Sequence, residues 1–133
     1  MDIQLRILVV ALQSLYLSIS TVMKKSNIFA YIELSKMVEE LRQSAASDKL
    51  KEKLKAQAAY FNILEPRYFS DSLISEWEGI LATTKQKGAK VDDEGKVISN
   101  AISNTIESFN QKECQKLADQ VFGLFEKLQK EFQ

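Results

Sequence analysis

Any acid–base or metal chemistry this chain performs would have to do without histidine, which the sequence does not contain. Histidine is the side chain that most often moves protons near neutral pH and most often binds transition metals. Its absence removes Ser-His-Asp and Cys-His catalysis, zinc hydrolysis and the Glu-x-x-His pairs of di-iron bundles. Cys114 is the only cysteine, so an intramolecular disulfide, a Cys-x-x-Cys redox motif and a cysteine zinc cage are all excluded. On an apolar helical row, and with no histidine to activate it, Cys114 reads as a small hydrophobe. A reducing, cytoplasmic setting fits that usage, and no cofactor or metal is implied.

The remaining motifs fail on spacing. Gly88 and Gly95 with Lys96 resemble fragments of a phosphate loop, yet the lysine position six residues after Gly88 is Glu94, and Lys96 precedes Val97 rather than Ser or Thr. Asp92, Asp93 and Glu94 lack the alternate carboxylates and distant glutamate of a calcium loop. They read instead as negative charge at the start of the following helix, which the helix dipole favours. Glu-x-x-Glu and Glu-x-x-Asp, the magnesium-holding turns of all-helical nucleotide hydrolases, occur nowhere in the chain. Carboxylates drawn from separate helices could still form an enzyme site, because such a site leaves no spacing to test.

Nucleic-acid binding is also disfavoured. Basic and acidic side chains number 18 each, and sequence-independent grip on phosphates needs an excess of the former. The lysine ladder Lys49, Lys51, Lys53 and Lys55 splits on a helix, with 49 and 53 on one side and 51 and 55 on another, so it makes no single phosphate-tracking stripe. The balance is uneven along the chain: residues 1–60 carry +3 and residues 61–133 carry −3. Opposite half-charges can help the halves pack or one protomer find another.

The elements that would position any site are helices. One proline, four glycines and apolar residues recurring every three or four positions predict an all-α fold, a compact bundle of five or six helices in one domain spanning 1–133. The segment Ile3–Met23 is apolar around most of its circumference, with Asp2, Arg6, Gln13 and Ser20 on one stripe, and is expected to be the central bundle helix. Its uncharged run of 17 residues is short for a membrane span, which wants about 18 or more. It also lacks the positive excess that opens a signal peptide.

A second helix capped by Ser26 or Asn27 is expected to bury Ile28, Tyr31, Ile32, Ser35, Val38, Leu41 and Ala45. A third, starting at Ser47 or Asp48 and stopped by Pro66, buries Leu50, Leu54, Ala58, Phe61 and Leu64. A fourth, capped by Ser70 or Asp71, turns Leu73, Trp77, Ile80, Leu81 and Thr84 inward. Residues 85–96 read as a mobile loop. Asp92 or Asp93 then caps a fifth helix, burying Ile98, Ala101, Ile102, Ile106 and Phe109. Asn110 with Glu113 three residues on forms a capping box, so a sixth helix starts there. Its apolar arc is Cys114, Leu117, Ala118, Val121, Leu124, Phe125, Leu128 and Phe132.

With those chemistries weakened, binding to another protein is the reading that remains: a non-catalytic interaction module of the immunity, antitoxin or regulatory-adaptor type. Aromatics and an arginine gather around the single proline, and interfaces enrich those types. Phe61 and Trp77 are assigned to the core, which leaves Tyr60, Arg67, Tyr68 and Phe69 as partner-contact candidates. The uncharged small-polar face of the fifth helix supplies others, Ser99, Asn100, Ser103 and Asn104. Two alternatives come from other classes. One is a homo-oligomeric structural or membrane-associated protein using the apolar N-terminal segment, and the other is a small-molecule binder or carboxylate-based enzyme with a polar cavity.

Overall fold

The computed structural model describes residues 25–133, and over that range the protein is a helical bundle carrying one small hairpin. In chain order the elements are α1 (Lys25–Arg42), α2 (Leu50–Ala56), α3 (Ala58–Ile63), a 3-10 turn (Pro66–Tyr68), α4 (Asp71–Thr84), β1 (Lys90–Val91), β2 (Val97–Ser99), α5 (Ala101–Glu107) and α6 (Gln111–Lys130). The expected central helix Ile3–Met23 lies outside the described residues. Among those residues no helix is long and apolar enough to cross a membrane.

The organising element is α6, which packs against α1, α2 and α4. Cys114, Leu117, Ala118, Val121, Leu124, Phe125 and Leu128 recur at helical spacing and are all buried, as the sequence pattern predicts. The helix starts at the expected capping box: the Glu113 backbone N–H donates to Asn110 Oδ1 at 2.8 Å, and the Asn110 N–H donates to Glu113 Oε1 at 3.1 Å. This reciprocal pair satisfies two of the N–H groups that a helix start leaves without partners. At the other end the Ser70 hydroxyl donates to the Glu131 carboxylate, tying the end of α6 to the residue that precedes α4.

The core is one aromatic and aliphatic cluster. Trp77 is wholly buried between Phe61 (centroids 5.9 Å apart, stacked) and Phe69 (5.2 Å). Its indole N–H donates to the Leu64 carbonyl at 2.6 Å, which satisfies a backbone oxygen at the end of α3. Tyr31 joins α1 to α6 by stacking on Phe125 at 5.7 Å and meeting Phe132 at 4.8 Å.

Three expectations are corrected. Val38 and Leu41 are buried on α1 as predicted, but the rest of its buried face is Ala30, Leu34 and Met37, roughly 140° around the helix from the predicted Ile28, Tyr31, Ile32 and Ser35. Residues Ile28–Leu34 are apolar at every position but Glu33, so two arcs were available. The arc that continues through Met37 and Leu41 packs inward. The predicted helix 47–64 divides at Gln57 (φ −95°, ψ 10°) into α2 and α3, yet Leu50, Leu54, Ala58, Phe61 and Leu64 all stay buried. It begins after Lys49 and has no side-chain cap, with the Ser47 hydroxyl taken up by the Lys49 N–H.

The third correction concerns 85–96, which is loop and turn except at Lys90–Val91, where it forms one strand of a hairpin. Lys90 pairs with Ser99 and Val91 with Val97 in an antiparallel hairpin. Its turn is closed by Asp92 Oδ1, which accepts from the Glu94 and Lys96 N–H groups at 2.9 Å each, and by Gly95 at φ +81°, a conformation glycine adopts without a Cβ clash. Asp92 and Asp93 therefore do not cap the next helix. Asn100 does, and Ile98 lies exposed on β2 instead of buried on α5.

Candidate functional site

The candidate residues around the proline are separated by local backbone geometry. Pro66 enforces a 3-10 turn, after which Phe69 takes an extended conformation (φ −98°, ψ 158°). That places Phe69 wholly inside, against Trp77, and leaves Tyr68 half-buried at the rim. Phe69 is thus a core residue and is withdrawn from the partner-contact set. Tyr60 is half-buried and packs against the core edge, while Arg67 is exposed.

Arg67 and Tyr68 form one unit with Glu65. The Arg67 Nε and Nη2 groups both donate to Glu65 Oε2, at 3.0 and 2.8 Å, and the guanidinium lies 4.9 Å from the Tyr68 ring centroid. Hydrogen bonding from the Tyr68 hydroxyl and Arg67 holds the Glu65 carboxyl below the usual carboxylate range. The same carboxylate raises both the Arg67 and the Tyr68 pKa. The corner therefore offers aromatic and stacked-guanidinium surface whose charge is already compensated.

Sequence reasoning missed the neighbour that enlarges this corner. Phe29 meets the Tyr68 ring edge to face, with centroids 5.4 Å apart and an 84° interplanar angle. Ile28 and Ile32, assigned to the core from the sequence, are outward instead: Ile28, Phe29 and Ile32 are 51%, 40% and 46% exposed. They crowd the first two turns of α1, while the continuation of that helix exposes Lys36, Glu39 and Arg42. The signal was the near-unbroken apolar run Ile28–Leu34, too wide for one buried face. Other exposed large apolar side chains among the described residues are Ile63 on α3 and Val91, Val97 and Ile98 on the hairpin.

The Ser/Asn candidates are largely committed to holding the fold. Asn100 Oδ1 accepts from the Ser103 N–H at 2.8 Å as the cap of α5. Asn104 Nδ2 donates to the Gly88 carbonyl at 3.0 Å, and the Lys87 N–H donates to Thr105 Oγ1 at 3.1 Å, so α5 braces the base of the hairpin. Ser99 ends β2, opposite Lys90. Among the described residues no hydrogen bond or ring contact joins this group to Tyr60, Arg67 and Tyr68, so the two candidate sets do not form one site.

The lysine ladder divides as its helical spacing predicts. Lys51 Nζ donates to the Glu107 carbonyl at 3.0 Å and Lys55 Nζ to Glu107 Oε2 at 2.7 Å, whereas Lys53 turns the other way to Glu40 at 3.5 Å. Lys55 pulls the Glu107 carboxyl below its ordinary value. No group of three or more Cys, Asp or Glu side chains is placed to hold a metal ion among the described residues. Cys114 is buried, and that burial pushes its thiol pKa up, away from nucleophilic thiolate.

The fold defines an all-α bundle with a bracing hairpin, and the candidate site is an apolar and aromatic surface. No family model matches the chain, and neither a curated protein nor a solved structure does.

Proposed function

We propose that this chain is a non-catalytic protein-binding module, of the immunity, antitoxin or regulatory-adaptor kind, that docks or occludes a partner protein through the surface made by Ile28, Phe29, Ile32, Arg67 and Tyr68. The observation that carries this reading is the outward row Ile28, Phe29 and Ile32, of which Phe29 meets the Tyr68 ring edge to face. A packed helical domain gains nothing from three large apolar side chains in water, and contiguous apolar patches rimmed by polar groups mark interaction sites. Composition supports it further, since tyrosine, phenylalanine and arginine are the types interfaces concentrate. The buried, unactivated Cys114 supports a cytoplasmic place of action.

Photo-crosslinking in the native cell tests the proposal. A benzophenone amino acid replacing Phe29 should crosslink to one defined protein, and one replacing the exposed Gln43, just beyond the far end of α1, should not. Ile28→Asp together with Ile32→Asp should abolish the crosslink while leaving the melting transition in place, since both side chains already face water. A crosslink yield at position 29 no greater than at position 43 would refute the proposed surface. A crosslink solely to a second copy of the chain would replace it with the homo-oligomer reading.

A further inference from the structure

The hairpin is a second outward surface, built on elements other than α1 and the 3-10 corner. Val91, Val97 and Ile98 are each more than half exposed, and the two strands pack mainly on each other. Val91 and Val97 are directly opposite partners, so their side chains share one face of the ribbon. Ile98 is skipped by the register and is the extra residue of a bulge beside them. A two-stranded ribbon alone is marginal in water. This one is fixed in its pose at the base, where the Lys87 N–H donates to Thr105 Oγ1 and the Gly88 carbonyl accepts from Asn104 Nδ2.

Charge is sorted along the ribbon. Lys85, Lys87 and Lys90 stand at the base with no acidic residue among them, so residues 85–90 carry +3. Asp92, Asp93 and Glu94 stand at the turn against Lys96 alone, so residues 92–96 carry −2. The Asp92 carboxylate is occupied in closing the turn. Lys85, Lys87, Lys90, Asp93 and Glu94 are exposed, and none has an ion-pair partner among the described residues. Lys127 and Lys55, by contrast, are paired with Glu76 and Glu107.

We propose that the hairpin face is a contact between two copies of this chain. The copies meet about a two-fold axis, Val91 and Val97 of one lying on the same pair of the other, with the acidic turn of each over the lysine-bearing base of its partner. The order of basic base, apolar middle and acidic turn selects a second copy as the occupant. Its match is the same order reversed, which a half-turn rotation supplies, and two-fold contacts are self-complementary in this sense. Edge lysines and the bulge blunt the strands against addition of another strand, which leaves the face as the contact. A ribbon this short buries less than the roughly 1,200 Å² at which stable interfaces begin, so the dimer is weak and salt-dependent, with a Kd of about 0.1–1 mM.

Sedimentation equilibrium of the full chain at concentrations up to about 2 mM tests this, with the charges reversed in pairs. One variant carries Asp93→Lys with Glu94→Lys, and the other Lys87→Glu with Lys90→Glu. Each sets like charges across the axis and should weaken self-association by about tenfold. An equimolar mixture of the two should restore it to the parent level, since every reversed group then meets its opposite. None of these four side chains makes a hydrogen bond in the fold, so both variants should keep the parent's circular dichroism spectrum. Val97→Asp should abolish association. A chain that stays monomeric at about 2 mM would overturn the proposal. So would reversed variants that associate as the parent does, or a mixture that associates no better than its components.

Discussion

Replacing Phe69 by alanine removes a ring that is 0% exposed and lies 5.2 Å from the Trp77 ring, so the space it leaves is enclosed by core. Phenylalanine-to-alanine changes at such positions cost about 3–5 kcal/mol, the sum of lost transfer energy and the cavity left behind. For a chain of 133 residues, where each kcal/mol moves the transition by roughly 3–5 °C, Tm should fall by about 10–20 °C. Tyr68→Ala is the internal comparison. It gives up an edge-to-face contact with Phe29, about 0.5–1.5 kcal/mol, and an exposed cation–π contact with Arg67, about 0.5–1 kcal/mol. Phe29 and Arg67 both remain in water, so its loss should not exceed about 2.5 kcal/mol. Thermal melts by circular dichroism measure the two variants. Emission supplies a second readout, because Trp77 is the only tryptophan: Phe69→Ala should change it and Tyr68→Ala should not. A Tyr68 variant as unstable as the Phe69 variant would refute the inside-outside assignment of this corner, and with it the surface proposed for docking.

Two further predictions concern charge and the hairpin. Glu65 and Glu107 both have folded pKa values below the ordinary 4.5, so the stability they add is fully present above that value and is lost as pH falls through their folded values. Urea midpoints taken from pH 6 down to pH 3 should decline, and the decline should be shallower when Arg67→Gln and Lys55→Met remove the partners; an unchanged slope would contradict the assignment. Gly95→Ala places a side chain at φ +81°, which costs about 1–2 kcal/mol for L-residues. Because β1 and β2 are exposed and lie outside the core, that strain should speed amide exchange at Lys96 and Asp92 while the global Tm barely moves. A large fall in Tm would show that the hairpin is part of the folding unit.

How much of this was legible depends on how much apolar surplus each helix carries. The α6 sequence has one apolar arc and a polar remainder, so its buried set follows from periodicity alone, and its start follows from the Asn110–Glu113 box. The break at Gln57 is invisible to periodicity because its near-helical dihedrals carry the i, i+3, i+4 register across, which is also why the predicted buried row survives it. The hairpin was hidden for a different reason. Strands of two and three residues show no alternation, and the charges between Val91 and Val97 resemble a solvated loop. The β-branched residues flanking a Gly-containing turn were the available sign.

The functional surface was half legible for the same physical reasons. Composition identified Arg67 and Tyr68, but helical spacing has nothing to say about a 3-10 corner, where one extended residue sends Phe69 inward while Tyr68 stays at the rim. Asn100 and Asn104 looked like a recognition face because small polar side chains reveal their partners only when the helix that Asn100 caps and the hairpin that Asn104 braces are known. Phe29 could be found only after α1 was set in rotation. Once α6 claims Ala30, Leu34, Met37 and Leu41, geometry obliges Ile28, Phe29 and Ile32 to face the opposite way. The exposed row is thus a consequence of how the core is satisfied, and its join to Tyr68 turns surplus apolar surface into a continuous candidate for docking.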